Sequence, residues 1–306
     1  MVAVSLQTPW WLSPSRCGGD RIPERHPSDY VYHQGTKQAG VSDRPVHVYR
    51  GRAATVDADR EASAALFDHA ADGERAVRVW RPHRQVAFGR RDRNEPGYEA
   101  AKRAAAEKDF PPVERSVGGR AVAYDGETTL AFARAEPVAD VRTGIQERYE
   151  AATGVLENAL ADCGVAVERG EPADAFCPGS HSLRLSGSVE GDGRGEGDGR
   201  GKVAGIAQRV TADGALVAGI LMVDNRGSLA DVLEAVYGAL GVPLDPAAVG
   251  ALVDGVGRGK RTTVAGGSDR EGNADLTPAR VRDAVEDALV GDRPRSIVPV
   301  GADEPP

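Results

Sequence analysis

Apolar and polar positions become regular from residue 46 onward. Residues 46–50 read as a short strand, and a helix beginning near Asp59 puts Ala62, Ala65, Leu66 and His69 on one face. Val77 and Val79, then Val86 and Phe88, alternate on either side of Pro82, the pattern of a half-buried hairpin. Pro96 and Gly97 open a helix running to about Lys108; Pro111 and Pro112 stop it, and a strand follows over 113–116. The clearest amphipathic run covers 141–163, where Ile145, Tyr149, Ala152, Leu156, Ala159 and Leu160 form one stripe and Gly164 ends it. Such a helix packs across a sheet. Strands are predicted at 165–168, 182–186, 202–211 and 215–223, the last two joined by an Asp213-Gly214 turn. Ser228 and Asp231 resemble a capping box for a helix over 229–240, and Thr277-Pro278 supplies the cap and first-turn proline of a last helix reaching about Leu289. Strands mixed with helices, several linked as hairpins, predict an α/β (α+β) domain on a largely antiparallel mixed sheet flanked by helices.

Outside those elements the pattern lapses. Residues 1–45 carry Pro9, Pro14, Pro23 and Pro27 with neither period and are read as a poorly ordered extension. Between 187 and 201 the pentapeptide Gly-Asp-Gly-Arg-Gly occurs twice. This insert lacks the strand–loop–helix context of a phosphate loop and the spacing of a calcium loop, so it reads as a flexible hairpin tip. The last residues, 299–306, read as a tail.

The charge balance narrows the partners. A net charge of −8 argues against nucleic acid or an anionic membrane as the main ligand, and no apolar run approaches the roughly 18 residues that cross a bilayer. A cytoplasmic, soluble protein is expected. Three cysteines in 306 residues make no disulfide framework, and no Cys-x-x-Cys or His-rich cluster offers a metal site, so no metal is expected. Five of the 38 basic residues are lysine, leaving 33 arginines. That acidic, Arg-rich profile fits a GC-rich genome and a high-salt cytoplasm. It also makes each lysine informative.

Three segments could carry chemistry. In Arg115-Ser116-Val117-Gly118-Gly119-Arg120 a strand breaks into paired glycines, which let a ligand approach the backbone amides. Arg115 and Arg120 could hold an anion; the plainer account is a glycine bulge with surface charge. Cys177-Pro178-Gly179-Ser180-His181 is a turn that could project a thiol nucleophile into a cleft, with His181 available to polarise it; the alternative is a buried, inert thiol. Lys202-Val203-Ala204-Gly205-Ile206-Ala207-Gln208 lies on a strand whose small residues leave room for a ligand chain. There Lys202 could set an ammonium on an acyl or phosphate oxygen, or could be a structural or surface lysine.

Taken together these segments resemble the biotin/lipoate protein ligase family, in its lipoate-protein ligase and octanoyltransferase branches. Val79-Trp80-Arg81-Pro82 and Phe88-Gly89-Arg90-Arg91 look like the family's opening hairpin, Arg115 to Val122 like its Arg-x-x-Gly-Gly acyl-binding segment, and Lys202 to Gly205 like its Lys-x-x-Gly. The resemblance covers about 46–225 and continues more weakly through the C-terminal helices, implying a catalytic domain over 46–298 with that family's fold. Cys177-Pro178-Gly179-Ser180 before Lys202 is similar to the amidotransferase branch; the Asn-Asp pair and His-rich segment of ATP-using ligases are missing, and the glycine-rich tip and His181-Ser182 depart from the transferase pattern. The resemblance implies transfer of an octanoyl or lipoyl group through a Cys177 acyl-enzyme, with Lys202 assisting and Arg115, Gly118, Gly119, Arg120, Gly205 and Gln208 holding the substrate. Its implied partners are the glycine-cleavage H protein and the lipoyl domains of 2-oxoacid dehydrogenase complexes, with no cofactor. The alternatives are an ATP-dependent lipoate-protein ligase, which would need ATP and magnesium, and an inactive lipoyl-domain-binding paralogue.

Overall fold

The computed structural model describes residues 44–115, 119–186, 201–256 and 276–301, and every structural statement below is made of these. The expected N-terminal extension, apart from its last two residues, the insert at 187–200, Gly118 and the end of the tail lie outside the described residues.

The chain runs through β1 (Val46–Arg50), α1 (Val56–Ala64), α2 (Leu66–Ala71), β2 (Arg75–Trp80), β3 (Gln85–Phe88), α3 (Tyr98–Glu107), β4 (Pro112–Glu114), β5 (Val122–Tyr124), β6 (Thr129–Glu136) and α4 (Ile145–Asp162). It continues through β7 (Val167–Arg169), β8 (Ser182–Leu185), β9 (Lys202–Val210), β10 (Ala215–Met222), α5 (Arg226–Leu240), α6 (Pro278–Val290) and β11 (Arg295–Pro299). Eight strands form one sheet in the order β11-β1-β2-β6-β10-β9-β8-β7, and β4-β3-β5 form a second. In the large sheet β1 runs parallel to β2 and β11 while the other neighbours are antiparallel, so the mixed, largely antiparallel architecture stands.

Side-chain alternation assigns the two faces. On one, Leu130 and Phe132 of β6 meet Leu156 and Leu160 of α4 and Val281 and Val285 of α6. On the other, Ala133 and Ala135 of the same strand meet Leu66 and Ala70 of α2. The small sheet packs its Val86, Phe88 and Val122 with α5 and α3 into a third cluster that includes Ile220 and Met222 of β10. The two sheets therefore face one another across β6 and β10.

Several expectations need correction. The hairpin around Pro82 does not form: β2 pairs with β1 and β6, whereas β3 pairs with β4 and β5 in the other sheet. Every residue of β3 is buried and most of β2 is too, so their alternation separates two packed faces rather than core from solvent. The helix expected near Asp59 is two helices, α1 capped by the Thr55 hydroxyl and α2 starting after Ala65. Helix α4 begins only after Gly144, whose φ of +72° sets the turn ahead of it. Helix α5 starts at Arg226 after a left-handed Asn225, so Ser228 sits inside the first turn and is no cap. Strands β6 and β11 were not predicted, and the boundary expected at 298 falls inside β11.

Candidate active site

Between the facing sheets lies a cavity of about 480 Å³. Its floor is built from small residues of the large sheet, among them Ala131, Ala133, Ala218 and Gly219, and Trp80 stands in its wall. Gly219 has no alternative: a Cβ there would come within 2.5 Å of Gly205 O and 2.6 Å of the Phe132 ring. Small side chains on two adjacent strands leave an apolar slot suited to an extended alkyl chain.

At this cavity the structure brings Cys177, Arg115, Gly119 and Lys202 together from three separate stretches of chain. Cys177 lies in the loop between β7 and β8 with φ of +40°, a conformation side chains rarely adopt. Both sides of the residue are tied down. Its N–H donates to Tyr237 Oη on α5 at 2.6 Å, and that hydroxyl donates onward to Ala121 O at 3.0 Å. Its carbonyl accepts from Lys202 Nζ at 2.9 Å, and the same ammonium donates to Phe176 O at 3.1 Å and Glu171 Oε2 at 2.9 Å. Lys202 is 1% exposed, and its three donors meet three acceptors. Burial, and after it the neighbouring Cys177 sulfur, push the Tyr237 phenol well above its ordinary range, so it keeps the proton it donates.

The sulfur itself faces donors. Arg115 Nη2 lies 3.4 Å from Sγ and the Arg120 N–H approaches at the same distance. A guanidinium and an amide in these positions stabilise negative charge on sulfur. Burial works against the Arg115 charge, but Cys177 and the Tyr124 and Tyr237 hydroxyls more than offset it and its pKa is raised. Among the described residues Arg115 Nε is buried without a hydrogen-bond partner. Gly119 makes the approach possible: its φ is +86°, and a Cβ there would stand 2.8 Å from Sγ.

Other expected site residues are placed differently. The Arg120 guanidinium is engaged by Glu95 at 2.8 Å and the buried Asp92 at 3.4 Å; only its backbone reaches the thiol. Gln208 borders the cavity, but its amide is held by Arg148 Nε and Ile145 O at the start of α4. Gly205 borders it beside Lys202, where a Cβ would make ordinary contacts. His181 also lines the cavity, with its ring stacked on Tyr149 at 3.6 Å between centroids. Glu171 and Tyr237 went unforeseen. Glu171 sits in an irregular loop with no pattern to mark it, whereas a tyrosine within the apolar stripe of α5 is a hydroxyl that must find a partner.

Known proteins are similar to this chain in part of the sequence and in the fold. The family model for the lipoyl protein ligase A/B catalytic domain matches residues 60–249. The chain is 28% identical over 149 residues to a lipoyl-GcvH:protein N-lipoyltransferase of Listeria monocytogenes, an alignment covering 49% of each. It is 30% identical over 156 residues to an octanoyl-GcvH:protein N-octanoyltransferase of Exiguobacterium sibiricum, covering 50% of each. The chain thus spans about half the length of the curated relatives it matches. Among solved structures, a lipoate-protein ligase A bound with ATP superimposes with a TM-score of 0.57 at 16% identity, over 84% of this chain and 89% of that one. A bipartite lipoate protein ligase from Thermoplasma acidophilum, described together with its E2 lipoyl domain, gives 0.51 at 14% identity over 84% and 88%.

Proposed function

Because the chain belongs to the lipoyl protein ligase A/B catalytic-domain family, we propose that it moves an octanoyl or lipoyl group onto a lysine of a lipoyl domain through an acyl thioester on Cys177. The observation that carries this reading is the position of Sγ, at the wall of the apolar cavity and 3.4 Å from both the Arg115 guanidinium and the Arg120 amide. The names of the relatives from Listeria and Exiguobacterium support the same class of transfer, with the glycine-cleavage H protein as donor.

In this reading the thiolate attacks the carbonyl carbon of an acyl-lysine on the donor. The carbon–nitrogen bond breaks, the leaving amine takes up a proton from water, and a thioester remains on Cys177. An unprotonated lysine amine of the acceptor domain then attacks that thioester, forming the new amide, releasing the thiolate and giving up a proton to water. The donors that face the sulfur also lie next to the carbonyl oxygen of each tetrahedral intermediate, where they stabilise its developing charge. Lys202 acts through the loop, fixing the Cys177 peptide so that the thiol keeps its aim. The acyl chain lies on the alanine and glycine floor of the cavity. The cycle needs no cofactor and belongs in the cytoplasm; among the described residues no helix is long and apolar enough to cross a membrane.

Intact mass spectrometry tests it. The protein is mixed with octanoylated H protein and an unmodified lipoyl domain, with and without ATP, magnesium and free octanoate or lipoate. Acyl gain on the acceptor without ATP, with a hydroxylamine-labile adduct on Cys177, is the expected result. Gain only with ATP and free acid would make it a ligase, and no gain in either mixture a lipoyl-domain-binding paralogue.

A further inference from the structure

Away from the cavity, two of the four described histidines converge on one carboxylate. His47 on β1 and His69 on α2 stack with centroids 3.8 Å apart, and Glu74, just before β2, faces both. Glu74 Oε2 is 2.7 Å from His47 Nε2 and 3.5 Å from His69 Nδ1. One ligating atom from each residue lies within 4.8 Å of the other two. The backbone holds them there: His47 is in parallel register with Ala76, and the Glu74 N–H donates to His69 O at 2.8 Å. The side chains are partly open, at 18%, 22% and 31% exposure.

The far side of one ring is also engaged. His69 Nε2 lies 3.0 Å from Tyr49 Oη, which orients the imidazole as an outer partner orients a metal-binding histidine. His47 Nε2 and Glu74 Oε2 are within hydrogen-bond distance, and an ion binding here would take the place of the proton shared between imidazole and carboxylate. Two imidazoles and one carboxylate suit zinc and its neighbours in the transition series, with remaining positions filled by water, and do not suit calcium or magnesium.

We propose that His47, His69 and Glu74 bind one divalent transition-metal ion, of the zinc(II) type, that ties β1, α2 and the start of β2 together. None of the three lines the Cys177 cavity. The role is therefore one of holding the fold, and it stands or falls independently of the acyl-transfer reading.

The test uses the full chain stripped by chelator and titrated with zinc sulfate, read by calorimetry and by melting. Wild type is expected to take up one equivalent and to gain about 5 °C in Tm at saturating metal. His47→Gln and His69→Gln should each weaken binding at least tenfold and lose the gain. Since the Cys177 thiolate is itself a potential ligand, Cys177→Ser is titrated in parallel; binding lost there and kept in the histidine variants overturns the proposal. So does a folded wild type without stoichiometric uptake. Should the histidine variants fail to fold, cobalt(II) in the wild type decides: visible bands without sulfur-to-metal charge transfer support the site, and charge transfer overturns it.

Discussion

Cys177 occupies a left-handed backbone conformation that costs about 1–3 kcal/mol for a non-glycine residue. Tyr237 and Lys202 hold it there from either side of the residue. If Cys177 is the nucleophile as proposed, Cys177→Ala abolishes transfer with Tm within a few degrees of wild type; undiminished turnover would reject the thioester. Tyr237→Phe takes the partner from a half-buried N–H and from a buried carbonyl, so about 1–3 kcal/mol of stability should go. Single-turnover acylation should slow about tenfold or more while KM for the acyl donor barely moves, because the lost hydroxyl aims the thiol and touches no substrate. Asp125 offers a pH-dependent case. Burial pushes its carboxyl up, but hydrogen bonds from Thr128, from the Glu127 and Thr129 amides and from Asn225 outweigh that and bring it from 3.8 to about 2. A folded value below the unfolded one gives stability that is full above about pH 4 and fades as pH falls towards 2, roughly 2 kcal/mol in all. Urea denaturation of wild type and Asp125→Asn across pH 2–6 should show the gap closing at the acid end. Cys177, Lys202 and Gly119 were legible because each is chemically unusual where it stands, the lysine above all in an arginine-rich chain. Tyr237 and Glu171 were not, since their meaning comes from partners 60 and 31 residues away.

Single elements owe their positions to a few buried polar contacts. Helix α1 is fastened to β2 by Arg78, which is 0% exposed and donates to Asp59 Oδ1 at 2.6 Å, to Ser63 Oγ at 2.8 Å and to Gly51 O at 3.0 Å. Asp59 in turn accepts the Ala53 N–H and lines the cavity. Asp59→Ala strands a buried guanidinium and should cost about 3–5 kcal/mol, measured by chemical denaturation; a loss under 1 kcal/mol would mean that water replaces the carboxylate. Helix α4 was readable from its apolar stripe, and α3 and α6 from the proline, glycine and cap signals at their ends. The strands were harder. In β6 alanines occupy the cavity side and an arginine the other, so neither alternation nor a solid apolar run announces the strand. Its identity depends on β2 and β10, which pair along both of its edges. The same buried surroundings made β2 and β3 imitate a hairpin.

For the molecule as a whole, the excess of carboxylates sets the response to salt. With a net charge of −8, screening relieves self-repulsion, so Tm should rise by several degrees between 0.1 and 2 M potassium chloride. A fall over that range would remove the high-salt reading of the composition. Legibility at this scale was good for class and poor for connection, because patterning reports which face of a strand is buried and says little about which strand lies beside it. The pairing of β1 with β11 illustrates the gap: Val46 lies opposite Arg295, and the Val300 N–H closes on Arg50 O at 2.7 Å. That pairing also bears on how the protein is made. During synthesis β1 emerges well before β11 and waits with one edge open until β11 leaves the ribosome, so nearly the whole domain must be translated before its sheet is complete. A chain released before Arg295 is added would leave that edge of β1 unpaired, and such nascent chains should be the first to be captured by chaperones or to coalesce into inclusion bodies.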